Sequence, residues 1–171
     1  IEAANVHREM RAFADKHGAV LYDVGDGICH QVMPEGGHLT CGDLIVGTTD
    51  GNLWRVTAAG VATKVANVGS NIEGIVTVPN DVPRYGPWAG KIVTGSAAVN
   101  MYAIDTSGAV TTYNNLGFTA TENLNIPNAG EVFYGVDFGG NTLWSANAGQ
   151  WTPYVGDVIM GEENGNLWDI R

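Results

Sequence analysis

The chain has 171 residues, 24 of them glycine, with 44% hydrophobic and 15% charged residues and a formal net charge of −10 at pH 7. That length suits one domain, or one domain with an appendage, and the apolar content is enough for a sizeable core. The acidity disfavours nucleic acid and anionic membrane as partners, no apolar run approaches ~18 residues, and two cysteines are too few for a disulfide framework.

In chain order, residues 2–16 are predicted to form a helix, because Val6, Met10, Phe13 and Ala14 recur at spacings of three and four and His17-Gly18 is a stop signal. Ala19–Val24 is predicted to be a buried strand, and Gly25-Asp26-Gly27 and Glu35-Gly36-Gly37 to be turns. No signal peptide is visible, which a mature secreted chain would also lack. Cys29 and Cys41 are read as free thiols in preference to a single bridge. All four histidines and both cysteines lie before residue 48.

From residue 42 the hydrophobic period becomes two, broken by turns. Leu44–Thr48 and Asn52–Thr57 are predicted strands around Asp50-Gly51, a hairpin signal because such a turn needs positive φ. Ala62–Ala66 follows. A second unit repeats the pattern as Lys91–Gly95, Asn100–Asp105 and Val110–Tyr113, at a constant offset of 48 residues between Gly47 and Gly95, Trp54 and Tyr102, and Gly60 and Gly108. A third begins at Gly156-Asp157-Val158-Ile159-Met160-Gly161, with Asn166-Leu167-Trp168 after it, and its offset of 66 implies an inserted loop, assigned mostly to residues 141–154. Ile72–Val78 and Glu131–Phe138 are predicted to open the second and third units. Four antiparallel strands at this spacing make one propeller blade. The opening strand of the first unit must come from residues 18–32 or be absent, and Arg171 falls at the end of a third strand. The expected fold is therefore mainly β: antiparallel propeller-like blades in an incomplete array, with an N-terminal helix. About two and a half to three blades are too few to close a ring, which typically needs 4–8.

Ala4-Asn5-Val6-His7, Arg11-Ala12-Phe13-Ala14, His17-Gly18, Tyr22 through Val32, Glu35 and Gly42 through Gly47 together resemble the aconitase superfamily, most of all the large subunit of 3-isopropylmalate dehydratase and homoaconitase. The resemblance implies a hydro-lyase that dehydrates and rehydrates hydroxy acids on a [4Fe–4S] cluster. It maps an active-site histidine onto His30, the only family-matching catalytic candidate. Where the family continues G-x-D-S-H-T, this chain reads Gly47-Thr48-Thr49-Asp50-Gly51-Asn52, and the three cluster cysteines have no counterpart. Residues 42–171 are similar to the repeats of secreted bacterial β-propeller proteins. The two resemblances overlap on Gly42–Gly47, where a join between unrelated fragments would be tolerated. The expected organisation is an aconitase-like fragment over 1–47, helix plus strand, and propeller-like repeats over 48–171 packed as one domain.

Each candidate site has a plain structural reading beside it. His30 as an acid–base group needs an orienting carboxylate and a pocket, and a structural or solvent-facing histidine is the favoured reading. His7, His17, His30 and His38 fit no zinc spacing, and Asp23 and Asp26 lack the order of a calcium loop. Asp50-Gly51-Asn52 and Asn164-Gly165-Asn166 read as hairpin turns and not as ion ligands. Trp54, Tyr102 and Trp168 occupy equivalent positions and are expected to pack between blades. Trp88, Trp144, Trp151 and Tyr154 lie in or near long loops and form the candidate ligand platform. No cofactor or metal is expected. The function that follows is a non-catalytic structural or binding module, a recombined or engineered chimera; the competing class is a [4Fe–4S] hydro-lyase fragment inactive alone. The expected partner is a second copy, by pairing or exchange of an edge strand.

Overall fold

A computed structural model describes residues 43–97, 99–137 and 140–171, apart from the side chains of residues 136 and 137. The predicted N-terminal helix, the strand at Ala19–Val24, the four histidines and both cysteines lie outside the described residues. The rest is three small antiparallel sheets and one inserted hairpin. The first sheet holds β1 (Leu44–Gly47), β2 (Asn52–Val56) and β3 (Ala62–Asn67) in sequence order. The second is a four-stranded meander of β4 (Ile72–Thr77), β5 (Ile92–Ser96), β6 (Met101–Ile104) and β7 (Val110–Tyr113). The third joins β8 (Thr121–Asn125) to β11 (Val158–Glu162) and β12 (Leu167–Ile170). Between β8 and β11 the chain makes the separate hairpin of β9 (Phe133–Asp137) and β10 (Thr142–Ala146).

The mainly β, blade-like architecture expected from the repeats is present, with one correction in the third unit. Its opening strand is Thr121–Asn125, whereas the strand found within the predicted segment, Phe133–Asp137, pairs with β10. The inserted element is that hairpin. Residues 148–154, expected in the insertion, belong instead to the repeat. They form α2 (Ala148–Trp151) and a 3-10 turn at Thr152–Tyr154, just as the second unit carries α1 (Val82–Tyr85) and a 3-10 turn at Gly86–Trp88 before its second strand.

The period of two explains how the middle sheet serves both neighbours. Successive side chains of a strand point to opposite faces. Ile92, Tyr102 and Ile104 pack with Leu53, Ala66 and Ile72 on the first-unit side. Val93, Met101 and Ala103 pack with Leu124, Ile126, Val158 and Met160 on the other. Of the equivalent aromatics, Tyr102 is buried, Trp54 is half-buried, and Trp168 is exposed with its ring edge-on to Phe118 at 6.1 Å. Only the first of the three is enclosed in the core; β12, which carries Trp168, has a sheet neighbour on one side alone among the described residues.

Glycine lets adjoining units approach closely. At Gly95 a Cβ would lie 2.3 Å from the Thr121 hydroxyl, and at Gly47 one would lie 2.3 Å from Ile72 Cγ2. Gly74 is the extra residue of a bulge between β4 and β5 and has φ +70°, and a Cβ there would meet the Asn123 backbone at 2.9 Å. Gly74→Ala is therefore expected to cost ~2 kcal/mol or more in denaturant unfolding, from left-handed strain plus a backbone clash. Gly69, with φ +74° and nothing within 4 Å of its Cβ, is the control. Gly69→Ala should lose only ~1 kcal/mol, and equal losses at the two sites would show that the inner strands are not in contact.

Candidate functional site

Two groups of side chains gather chemistry. The first grows from the paired helical turns. Tyr85-Gly86-Pro87-Trp88 and Trp151-Thr152-Pro153-Tyr154 share one pattern, aromatic, any residue, proline, aromatic. Proline pre-sets φ for the 3-10 turn and so throws the two flanking aromatics to defined positions. Asp81 caps α1 by accepting from the Arg84 N–H at 3.4 Å. Asn147 caps α2 by accepting from the Gln150 N–H at 3.2 Å, while the Gln150 side chain accepts from the Asn147 N–H at 2.9 Å.

The structure separates the four aromatics of the candidate platform. Trp88 is half-buried, edge-on to Tyr113 at 5.9 Å, and packed against the core between the second and third units. Trp151 and Tyr154 meet edge-on at 6.0 Å, and Phe133 of β9 covers Trp151 at 4.6 Å. Trp144 of β10 is 65% exposed. It lies opposite Gly135, so it shares a hairpin face with Phe133, two residues from Gly135. The indole nitrogen of Trp151 is buried without a hydrogen-bond partner. Phe133 is not among the candidates read from the sequence, because nothing in a lone aromatic before Tyr134 marks it as turned toward Trp151.

Arg84 and Tyr85 carry no sequence signal of a role either, yet they tie α1 to the third unit. The Arg84 guanidinium donates to the Val155 carbonyl at 2.6 Å and to Asp157 at 2.9 Å, and the Tyr85 hydroxyl donates to the Gly156 carbonyl at 2.7 Å. Asp157 also pairs with Arg171 at 3.2 Å, and Arg171 with Asp169 at 2.7 Å. The Asp157 hydrogen bond holds the Arg84 pKa above its ordinary value, and the Asp169 bond does the same for Arg171. These cations are engaged in structure.

The second group sits around the turns that join the middle strands. Asp50-Gly51-Asn52 and Asn164-Gly165-Asn166 are hairpin turns, with φ of +80° at Gly51 and +86° at Gly165. Thr48 donates to Asp50 and lowers its pKa, Asn52 donates to Asp50 at 2.6 Å, and Asn67 donates to Asn52 at 2.7 Å. In the third unit the position of Thr48 is taken by Glu162, a buried carboxylate. It accepts from the Thr119 N–H, from the Thr119 hydroxyl at 3.0 Å and from the Asn166 amide at 2.9 Å. The Thr119 N–H, then the Trp168 side chain, hold its pKa down to about 2 against the cost of burial. Nearby, burial and then the charges of Glu122 and Glu163 push the Glu73 carboxyl up, and one of its oxygens is buried without a partner. Among the described residues, no three His, Cys, Asp or Glu side chains are placed to hold a metal.

No family model matches the chain. A 48-residue stretch is 54% identical to a probable 3-isopropylmalate dehydratase large subunit from Methanosarcina mazei, covering 28% of this chain and 11% of that protein. An 87-residue stretch is 32% identical to the homoaconitase large subunit of Thermus thermophilus, covering 48% of this chain and 21% of that one. The chain thus spans roughly a tenth to a fifth of the length of these curated relatives. Among solved structures, the computationally designed Ika4 protein aligns with a TM-score of 0.42 at 13% identity, over 79% of this chain and 64% of its own. A catalytically inactive virginiamycin B lyase from Staphylococcus aureus aligns with a TM-score of 0.35 at 16% identity, over 80% and 42%.

Glu162 sets a pH dependence whose sign follows from linkage. Its folded pKa lies below the ordinary 4.5, so its stabilisation is complete above that value and is lost as pH falls toward about 2. Glu73 is shifted upward and acts in the opposite sense. Glu162→Gln is expected to lower the unfolding midpoint at pH 7 and to flatten the acid limb between 4.5 and about 2. An unchanged acid limb would show that the Thr119 N–H does not bind this carboxylate.

Proposed function

We propose that this chain is a non-catalytic structural and binding β module, a recombined or engineered chimera of an aconitase-like fragment over residues 1–47 and propeller-like repeats over 48–171. The reading is supported by the short reach of the dehydratase match against repeats that run from β1 to β12. The run Gly42–Gly47, which fits both patterns, ends inside β1. The cluster that the hydro-lyase relatives imply does not fit the donors of this chain. A [4Fe–4S] cluster is held by thiolates, and the sequence has only Cys29 and Cys41. The hydro-lyase reading therefore reduces to a fragment that is inactive alone, with His30 as its one family residue. After anaerobic iron–sulfide reconstitution, no turnover of isopropylmalate or homoaconitate is expected. Turnover abolished by His30→Ala would reverse this conclusion.

Binding rests on one arrangement: Tyr154 is exposed at the edge of Trp151, and the exposed ring of Trp144 shares a hairpin face with Phe133, which covers Trp151. Exposed flat rings suit the apolar face of a neutral sugar, and a neutral ligand avoids the chain's net charge. Cellohexaose is expected to change tryptophan fluorescence on titration. Tyr154→Ala should weaken that response at least tenfold and Trp88→Ala should leave it intact. No response to cellohexaose, or equal loss in both variants, removes the platform.

The partner in this reading is a second copy, and neither nucleic acid nor membrane. The outer edge of β12, which has no sheet neighbour among the described residues and exposes Leu167 and Trp168, suits pairing with another strand. Native mass spectrometry at micromolar concentration should show a dimer, and a strictly monomeric protein would refute self-association.

A further inference from the structure

Leu53, Met101 and Leu167 hold one position in three units, at offsets of 48 and 66 residues. Each lies opposite a glycine of the neighbouring strand: Gly47, Gly95 and Gly161. Their burial differs. Leu53 and Met101 are 0% exposed, whereas Leu167 is 66% exposed. The unit that follows covers the first two. Leu53 packs with Ile72, Ile92, Tyr102 and Ile104, and Met101 with Leu124, Ile126, Val158 and Met160. The strand is not the cause: Ile170, on β12 but turned toward the second unit, packs against the core. Leu167 has no following unit over it among the described residues.

The first unit shows the converse. Leu44 and Val46 correspond to Ile92 and Thr94, and to Val158 and Met160. Ile92 and Val158 are 1% exposed, and Thr94 and Met160 are 0% exposed. Leu44 is half-buried and Val46 is 40% exposed. Val46 and Trp54 are opposed in the sheet and share the face turned away from the second unit. One end of the array therefore shows the face that each unit offers to the next. The other end shows the face that each unit offers to the one before.

The chain already joins these two kinds of face twice, at both of its internal junctions. At the second junction the sulfurs of Met101 and Met160 approach the same Thr121 hydroxyl, at 4.0 and 3.4 Å. By the repeat, Leu167 stands where Met101 does and Val46 where Met160 does. We propose that the third unit of one copy docks on the first unit of a second copy, Leu167 against Val46, and that two such contacts close a ring of six units. Three units fall short of a closed propeller, which typically has 4–8 blades, and two copies fall within that range. The contact is head-to-tail, and it occurs twice because the ring closes after two copies. The proposal rests on self-association and places it on sheet faces instead of the β12 edge. Trp88 packs against the second junction, so its repeat equivalent Tyr154 borders this one, and a saccharide and a second copy contend for it.

Native mass spectrometry of the full chain at micromolar concentration should show a dimer and nothing larger. Leu167→Asp and Val46→Lys should each give monomer, and both positions are open enough in the single chain to keep it folded. Mixed in equal amounts, the two variants should return a dimer with one copy of each, because one junction is then native and the other opposes a carboxylate to an ammonium. A monomeric wild type would overturn this proposal together with self-association itself. A wild-type dimer that survives Val46→Lys, an assembly larger than a dimer, or variants that stay monomeric when mixed would overturn only the docking of faces. Hydroxyl-radical footprinting needs no variant. Leu167 and Val46 should be labelled at least threefold less in the wild-type dimer than after dilution to monomer, and unchanged labelling of either would overturn the docking as well.

Discussion

The array depends on a missing side chain at one repeated position. Gly47 and Gly95 end the hydrophobic run of successive units, and each is the place where the next unit's inner strand comes to rest: Ile72 on Gly47, Thr121 on Gly95. Any Cβ there would stand 2.3 Å from the neighbour, well inside van der Waals contact. The approach brings side chains of β4 and β8 into the pockets beside the previous sheet and closes two cores, one on each face of the middle unit. Burial of this kind is the main stabilising force, and it is available here only because the backbone is bare at the contact. The repeat of glycine at that position is a packing rule written into the sequence.

Much of this is legible in the sequence. The offset of 48 residues locates β2, β3, β6 and β7, since those strands are held by their own hairpins and local turn chemistry. The third unit's opening strand is not legible. Thr121-Glu122-Asn123-Leu124-Asn125 turns only Thr121 and Leu124 inward, so its polar composition hides a core strand. Phe133–Asp137 has the apolar alternation of a strand and is one, yet it pairs with β10 at the surface. Alternation reports strand character; it does not report the partner. The helical turns do leave a signal, the two aromatic-x-Pro-aromatic runs, visible once an offset of 66 is allowed through the insertion.

The candidate site is readable as residue types and not as an arrangement. Four loop aromatics are identifiable because large apolar rings between turn residues invite a use. Which of them share a surface depends on the tertiary path. α1 sends Trp88 into the core beside Tyr113, and α2 leaves Tyr154 at the surface beside Trp151. The same tertiary path turns Arg84 and Tyr85 from ordinary loop residues into the clamp between the second and third units. Sequence spacing carries no information on contacts between residues more than seventy positions apart.

The seal between those two units also has a chemical character of its own. Thr121 sits between two thioethers, with its hydroxyl 3.4 Å from the Met160 sulfur and 4.0 Å from that of Met101, and both methionines are fully buried. Methionine accommodates an irregular gap that a branched side chain would not. It is also oxidisable to a polar sulfoxide. While the units stay docked, both side chains are closed off from solvent. A separation of β4 from β8 would open the seam to oxidant, and a sulfoxide formed there would put a polar oxygen among the apolar side chains that join the two units. Docking is then reversible until the first oxidation and hindered afterwards, so the junction keeps a chemical record of having opened.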